Sequence, residues 1–196
     1  RTSDNPELEQ ELESRKIPVI RSSDKGFLDT FEVRLLVDLL RIIDNPYQDI
    51  PFTAVITSPL GGVDSNTLAR IKIAYTGENF CVYEACREYR EFEPLNSFIG
   101  KLADFRRRNT YMDTYSLMEY VIEQTMFIGM ISAMPGGKSR KANIELMMDR
   151  AAAYSESSYS GLYNFLRYLD QTKELERELG QGHVFLRRRT GSVTAE

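Results

Sequence analysis

The sequence predicts a mainly α protein with a short α/β edge at its N-terminus. Apolar residues recur at helical spacing in several segments, and Asn-Pro and Pro-Gly pairs punctuate them. No alternating βαβ pattern is visible beyond the first 24 residues. Three parts follow: an α/β edge over 1–24, a helical body over 25–179, and a tail over 180–196.

In the edge, Asn5-Pro6 opens a short helix running to Arg15, and Ile17-Pro-Val-Ile20 has the β-branched character of a strand. The body begins with FLDTFEVRLLVDLLRIIDNP. Phe31, Leu35, Leu36, Leu39, Leu40, Ile42 and Ile43 cover most of a helix circumference, leaving a polar stripe at Arg34, Asp38 and Arg41. Asn45-Pro46 stops that helix, because proline pushes the residue before it out of the α region. A second short helix starts at Pro51. The turn Pro59 to Gly62 then leads into a third, marked by Asp64 or Ser65 as its N-cap.

A weaker segment containing Gly77 precedes two expected helices, Leu95 to Arg108 and Tyr115 to Ile128. Two long amphipathic helices are expected over 138–179. Ile144, Met147, Met148, Ala151 and Tyr154 share one face of the first; Leu162, Phe165, Leu166 and Leu169 form the stripe of the second. Ser158 or Ser160 caps the latter. The tail has no periodicity, and its VFLRRRTG reads as a strand or a disordered basic end.

The chain has 196 residues, 42% hydrophobic and 28% charged, which suits one medium globular domain. Its formal net charge of −4 excludes a global basic field, so any nucleic-acid contact must come from a local patch. No run of about 18 apolar residues suggests a membrane span, and no signal peptide is visible. The expected location is cytoplasmic. Cys81 and Cys86, five residues apart in a segment that reads as helix or loop, are expected to be reduced thiols, and with the single His183 they cannot build a usual zinc site, so no metal is expected.

MPGGKSRKAN contains GKS, but a phosphate-binding loop needs a glycine five residues before Gly137, where Ser132 stands. Pro135-Gly136-Gly137 is therefore a turn between helices. Lys138, Arg140 and Lys141 then lie near a helix N-terminus, where free backbone N–H groups favour an anion; a solvated basic loop is the alternative. Arg106-Arg107-Arg108 complements a helix C-terminus, and Arg187-Arg188-Arg189 is a second basic run. Tyr111, Tyr115 and Tyr120 read as core or interface. Glu32, Asp38, Asp44 and Asp49 read as caps, turn residues and a solvated stripe. No catalytic constellation is apparent.

The block FEVRLLVDLLRIIDNPYQDIPFTAVITSPLGG resembles the place where UvrD-like superfamily 1 DNA helicases leave their second RecA-like domain and enter the inserted 2B domain. Its wording is closer still to the AddA/RexA subunit family of bacterial helicase–nucleases. MPGGKSRKAN and RAAAYSESSYSGLYNFLRYL carry that resemblance to about Leu169. It implies a helical 2B-type insertion preceded by a sliver of domain 2A. It also implies a parent that is an ATP-dependent DNA helicase and exonuclease, a hydrolase acting in double-strand-break repair with a B-type partner subunit.

ATP and Mg²⁺ are implied for the parent but not for this segment, which lacks Walker and DExx motifs and is expected to be non-catalytic. Arg1 matches the arginine that lies near the nucleotide in the family. In these helicases a turn of the form P-x-x-G-I-G brings backbone amides to duplex phosphates. Here Gly61, Gly62 and Val63 occupy that turn, with Asp64 in place of its last glycine.

Two functions stay open. One is a duplex-contacting module using Gly61, Gly62, Lys138, Arg140 and Lys141. The other is a docking or regulatory domain that meets the motor domains or the B-type partner without touching DNA. A basic face shared by these patches favours the first.

Overall fold

The computed structural model describes residues 26–155 and 161–189, with side chains as far as Glu176. A 3-10 turn, Phe27–Asp29, leads into α1 (Phe31–Asp44), α2 (Asp49–Ile56), α3 (Ser65–Ala74), α4 (Val82–Glu88) and α5 (Glu93–Arg108). Then come α6 (Thr114–Gln124), α7 (Phe127–Ser132), α8 (Gly137–Ser155) and α9 (Leu162–Arg189). No strand occurs among the described residues. The expected helix Pro6–Arg15, the strand at Ile17–Ile20, the caps Ser158 and Ser160, and Arg1 all lie outside them.

Helix α1 is the hub: α2, α5, α8, α9 and the 3-10 turn all pack on it. Val33, Leu36, Leu39, Leu40 and Ile42 have no exposed surface. Each such side chain contributes about 1.5–3 kcal/mol by leaving water. The expected polar stripe is present but occupied: Arg41 reaches Asp38 at 3.5 Å and Asp170 of α9 at 2.5 Å. Asn45 is extended (φ −139°, ψ 105°) before Pro46, as the Asn-Pro pair dictates, and its side chain accepts from the Tyr47 amide at 3.1 Å.

Two residues of α1 reverse their expected places. Phe31 is 48% exposed, because it opens the helix beyond the core; the Arg140 guanidinium covers it 5.7 Å from the ring centre. Glu32 is not a solvated residue but is 2% exposed. It lies four, seven and eleven positions before Leu36, Leu39 and Ile43, on the same buried face.

The helix expected over 115–128 is two helices. Met126 adopts a left-handed conformation (φ 52°) that turns the chain and sends Phe127 and Ile131 fully into the core. At the break Val121 O accepts from both the Thr125 amide at 3.1 Å and Thr125 Oγ1 at 2.7 Å, and Lys101 Nζ donates to Gln124 O at 3.0 Å. Helix α4 covers the segment of Cys81 and Cys86 that the sequence left between helix and loop. It is short, and its first amide, Val82 N, is capped from outside by Asp49 Oδ1 at 3.1 Å. The backbone of α9 continues to Arg189, so helix replaces the expected irregular tail over 180–189.

Candidate nucleic-acid interface

The turn after α2 is built by Ser58. Its hydroxyl donates to Val55 O at 2.6 Å and accepts from the Leu60 amide at 3.2 Å. Its carbonyl accepts from Gly61 N at 3.2 Å and Gly62 N at 2.9 Å, while Val63 N donates to Ile56 O at 2.9 Å. The amides of Gly61 and Gly62 are therefore consumed inside the turn rather than offered outward. Gly61 is required for packing, since a Cβ there would stand 2.5 Å from the Ile56 Cα. Gly62 is required for its left-handed backbone (φ 66°). Asp64 is the N-cap of α3 and accepts from Thr67 N at 2.7 Å. That backbone hydrogen bond holds its carboxyl below the usual range. The carboxylate thus fills the anion position of the helix it opens.

The second turn, Pro135-Gly136-Gly137, needs both of its glycines. Gly136 has φ 75°, and a Cβ on Gly137 would collide with the Ser132 carbonyl. The turn delivers the chain into α8. Arg140 is anchored three ways: its Nε donates to Pro135 O at 3.0 Å, its Nη1 to Glu32 at 2.5 Å, and its backbone amide to Gly136 O at 3.1 Å. Asn143 Nδ2 donates to the other Glu32 oxygen at 2.6 Å. Burial works to raise the Glu32 pKa, but hydrogen bonds from Asn143, its own backbone amide, Arg140 and Thr30 outweigh it and hold the carboxyl below its usual value. Glu32 and Asn143 complete this site. Helical spacing in α1 carried the signal for the first; the asparagine in MPGGKSRKAN carried it for the second.

The basic residues consequently divide. Arg140 faces inward to a buried carboxylate, and Lys141 pairs with Glu145 at 3.4 Å on the solvent side. Lys138 is exposed and forms no ion pair with any described residue. It lies in the first turn of a 19-residue helix whose leading N–H groups point out. The Arg106–Arg108 run is largely engaged. Arg107 and Arg108 both bond Asp104, and Arg108 lies 4.0 Å over the Tyr120 ring while the Tyr120 hydroxyl donates to Asp104 at 2.9 Å. Tyr111 is exposed; Tyr115 and Tyr120 are half-buried. Among the described residues no helix is long and apolar enough to cross a membrane.

A family model described as the UvrD-like helicase C-terminal domain matches residues 1–183. The chain is 34% identical over 178 residues to the A-type subunit of the ATP-dependent helicase/nuclease of Anoxybacillus flavithermus, covering 87% of this chain and 15% of that protein. It is 33% identical over 179 residues to the protein so named in Ruminiclostridium cellulolyticum, covering 89% of this chain and 14% of that protein. The protein of the same name from Bacillus velezensis is 34% identical over 183 residues, with 89% and 15% covered. The chain thus spans 14–15% of the length of these curated relatives.

Proposed function

The chain belongs to the UvrD-like helicase C-terminal domain family, and from that premise we propose that it is the helical 2B-type insertion of the A-type component of an ATP-dependent helicase/nuclease. In this reading it is a non-catalytic accessory domain of a helicase and exonuclease acting in DNA repair. ATP and Mg²⁺ are held by motor elements elsewhere in the parent, with Arg1 contributing near the nucleotide, and a B-type subunit is the partner. The domain touches duplex DNA ahead of the motor.

The observation that carries the DNA contact is the start of α8. Lys138 and the first free amides of a long helix stand together at the surface, on a turn fixed from behind by the Arg140–Glu32 pair. A helix N-terminus with an unneutralised cation suits one phosphate group. Gly61 and Gly62 act as turn formers in this reading, because their amides already have an acceptor. Arg140 acts as the brace, and Lys141 as a weaker contact shared with Glu145.

Fluorescence anisotropy with tailed duplex, blunt duplex and single strand over a salt series tests it. Duplex-preferring binding is expected, with Lys138→Glu weakening it and lowering the salt slope by about one. No binding at about 100 μM duplex in low salt overturns it. That result would favour the docking function, which the internal neutralisation of Arg140 and Lys141 already supports.

A further inference from the structure

An open groove runs between α6, α7 and α8 on a different part of α8 from the Lys138 turn. Ile122, Ile128 and Met148 form its apolar wall, and Glu119, Glu123 and Glu145 rim it. From Thr114 to Gly137 the only charged residues are Glu119 and Glu123, so neither α6 nor α7 supplies a cation to balance them. Both are exposed, and neither forms an ion pair with a described residue. Among the described residues Glu145 pairs with Lys141 alone, and the Lys101 ammonium is bonded to the Gln124 carbonyl. Carboxylates four residues apart on one helix repel, which weakens the helix locally, and no contact among the described residues offsets that.

Met126 adds an independent sign. It sits in the chain between rim residue Glu123 and wall residue Ile128, is 77% exposed, and holds a left-handed backbone. Folding requires the turn there, but it does not require a large apolar side chain in a conformation that glycine or asparagine adopts more easily. An exposed methionine two residues before the wall residue Ile128 suits an adaptable binding surface.

We infer that this groove docks a protein segment that is apolar on one face and bears Lys or Arg at its flanks. Apolar side chains would fill the space along Ile122, Ile128 and Met148, and the flanking cations would meet Glu119, Glu123 and Glu145. The charge of Glu119 and Glu123, which no cation among the described residues pairs, selects this occupant. Nucleic acid and anionic lipid are repelled by the same carboxylates. Because this docking uses residues remote from Lys138, it stands or falls separately from the duplex contact.

The test is NMR titration of the ¹⁵N-labelled chain with a short amphipathic Lys/Leu peptide, alongside a Glu/Leu peptide of identical pattern and a Lys/Ser peptide. The Lys/Leu peptide alone is expected to give saturable shifts at Ile122, Glu123, Ile128 and Met148. The exposed double variant E119Q/E123Q should weaken it about fivefold, the scale of two partly screened ion pairs. The charge-matched variant E78Q/E88Q should not. Equal binding of the Glu/Leu or Lys/Ser peptide, shifts mapping elsewhere, or equal losses in the two double variants overturn the inference. So does perturbation of the same amides by duplex DNA, or by self-association of the chain.

Discussion

Arg140 and Glu32, 108 residues apart in sequence, join the first turns of α8 and α1 through a 2.5 Å ion pair. The carboxylate is 3% exposed and the guanidinium 29%, so the pair points from the core outward. Removing the arginine's charge and removing the glutamate's charge are therefore different perturbations. The first strands a buried anion; the second leaves a cation that water can reach.

Glu32→Ala should destabilise the domain by about 2–3 kcal/mol, below the cost of breaking a fully buried pair because Arg140 is partly solvated. Urea denaturation at neutral pH measures this. The pH dependence follows from the sign. The folded-state pKa of Glu32 is lowered from 4.5, so its contribution is fully present above that value and is lost as pH falls through the folded pKa. In Glu32→Gln, stability should fall less steeply than in the parent chain below about pH 4.

Gly61→Ala and Gly62→Ala should separate clearly in thermal melts. At Gly61 the new methyl meets the Ile56 backbone at 2.5 Å, which cannot rotate away, and a loss of about 3 kcal/mol is expected. At Gly62 a Cβ would meet only Pro94 Cβ, at an ordinary 3.9 Å, so the left-handed backbone alone opposes alanine, for about 1 kcal/mol.

Asp64→Ala should lower the thermal midpoint modestly through loss of the α3 cap. It should leave duplex affinity unchanged, because the Gly61 and Gly62 amides remain bonded to Ser58. Increased binding in this variant would show that Asp64 had been repelling a phosphate.

Thiol labelling at pH 8 should modify Cys81 and spare Cys86 until the chain unfolds. Cys81 is half-buried, whereas Cys86 has no exposed surface and burial pushes its thiol pKa up to about 12. Ellman's reagent with and without guanidinium checks the two steps.

Where hydrophobic spacing and punctuation agreed, the fold was legible in the sequence. Leu35 to Ile43, Asn45-Pro46 and the stripe Ile144, Met147, Ala151 are placed in the structure as their spacing requires. The break at Met126 was not legible, because neither proline nor glycine marks it and the pull of Phe127 into the core is a tertiary effect. Helix α4 could not be told from a loop, because it is short and its cap, Asp49, lies 33 residues upstream. At the candidate site, residue types identified the two turns but not the direction of their polar groups. Lys138, Arg140 and Lys141 look alike in sequence and differ in which carboxylate each can reach.

The central position of α1 also sets an order on biosynthesis. Its Leu36, Leu39 and Leu40 emerge from the ribosome more than 90 residues before α8 and α9, which cover them. At ordinary translation speed the interval between Glu32 and Arg140 is roughly 5–20 s. Throughout that interval an apolar cylinder lacks half its wall, making the nascent chain a natural client for holding chaperones.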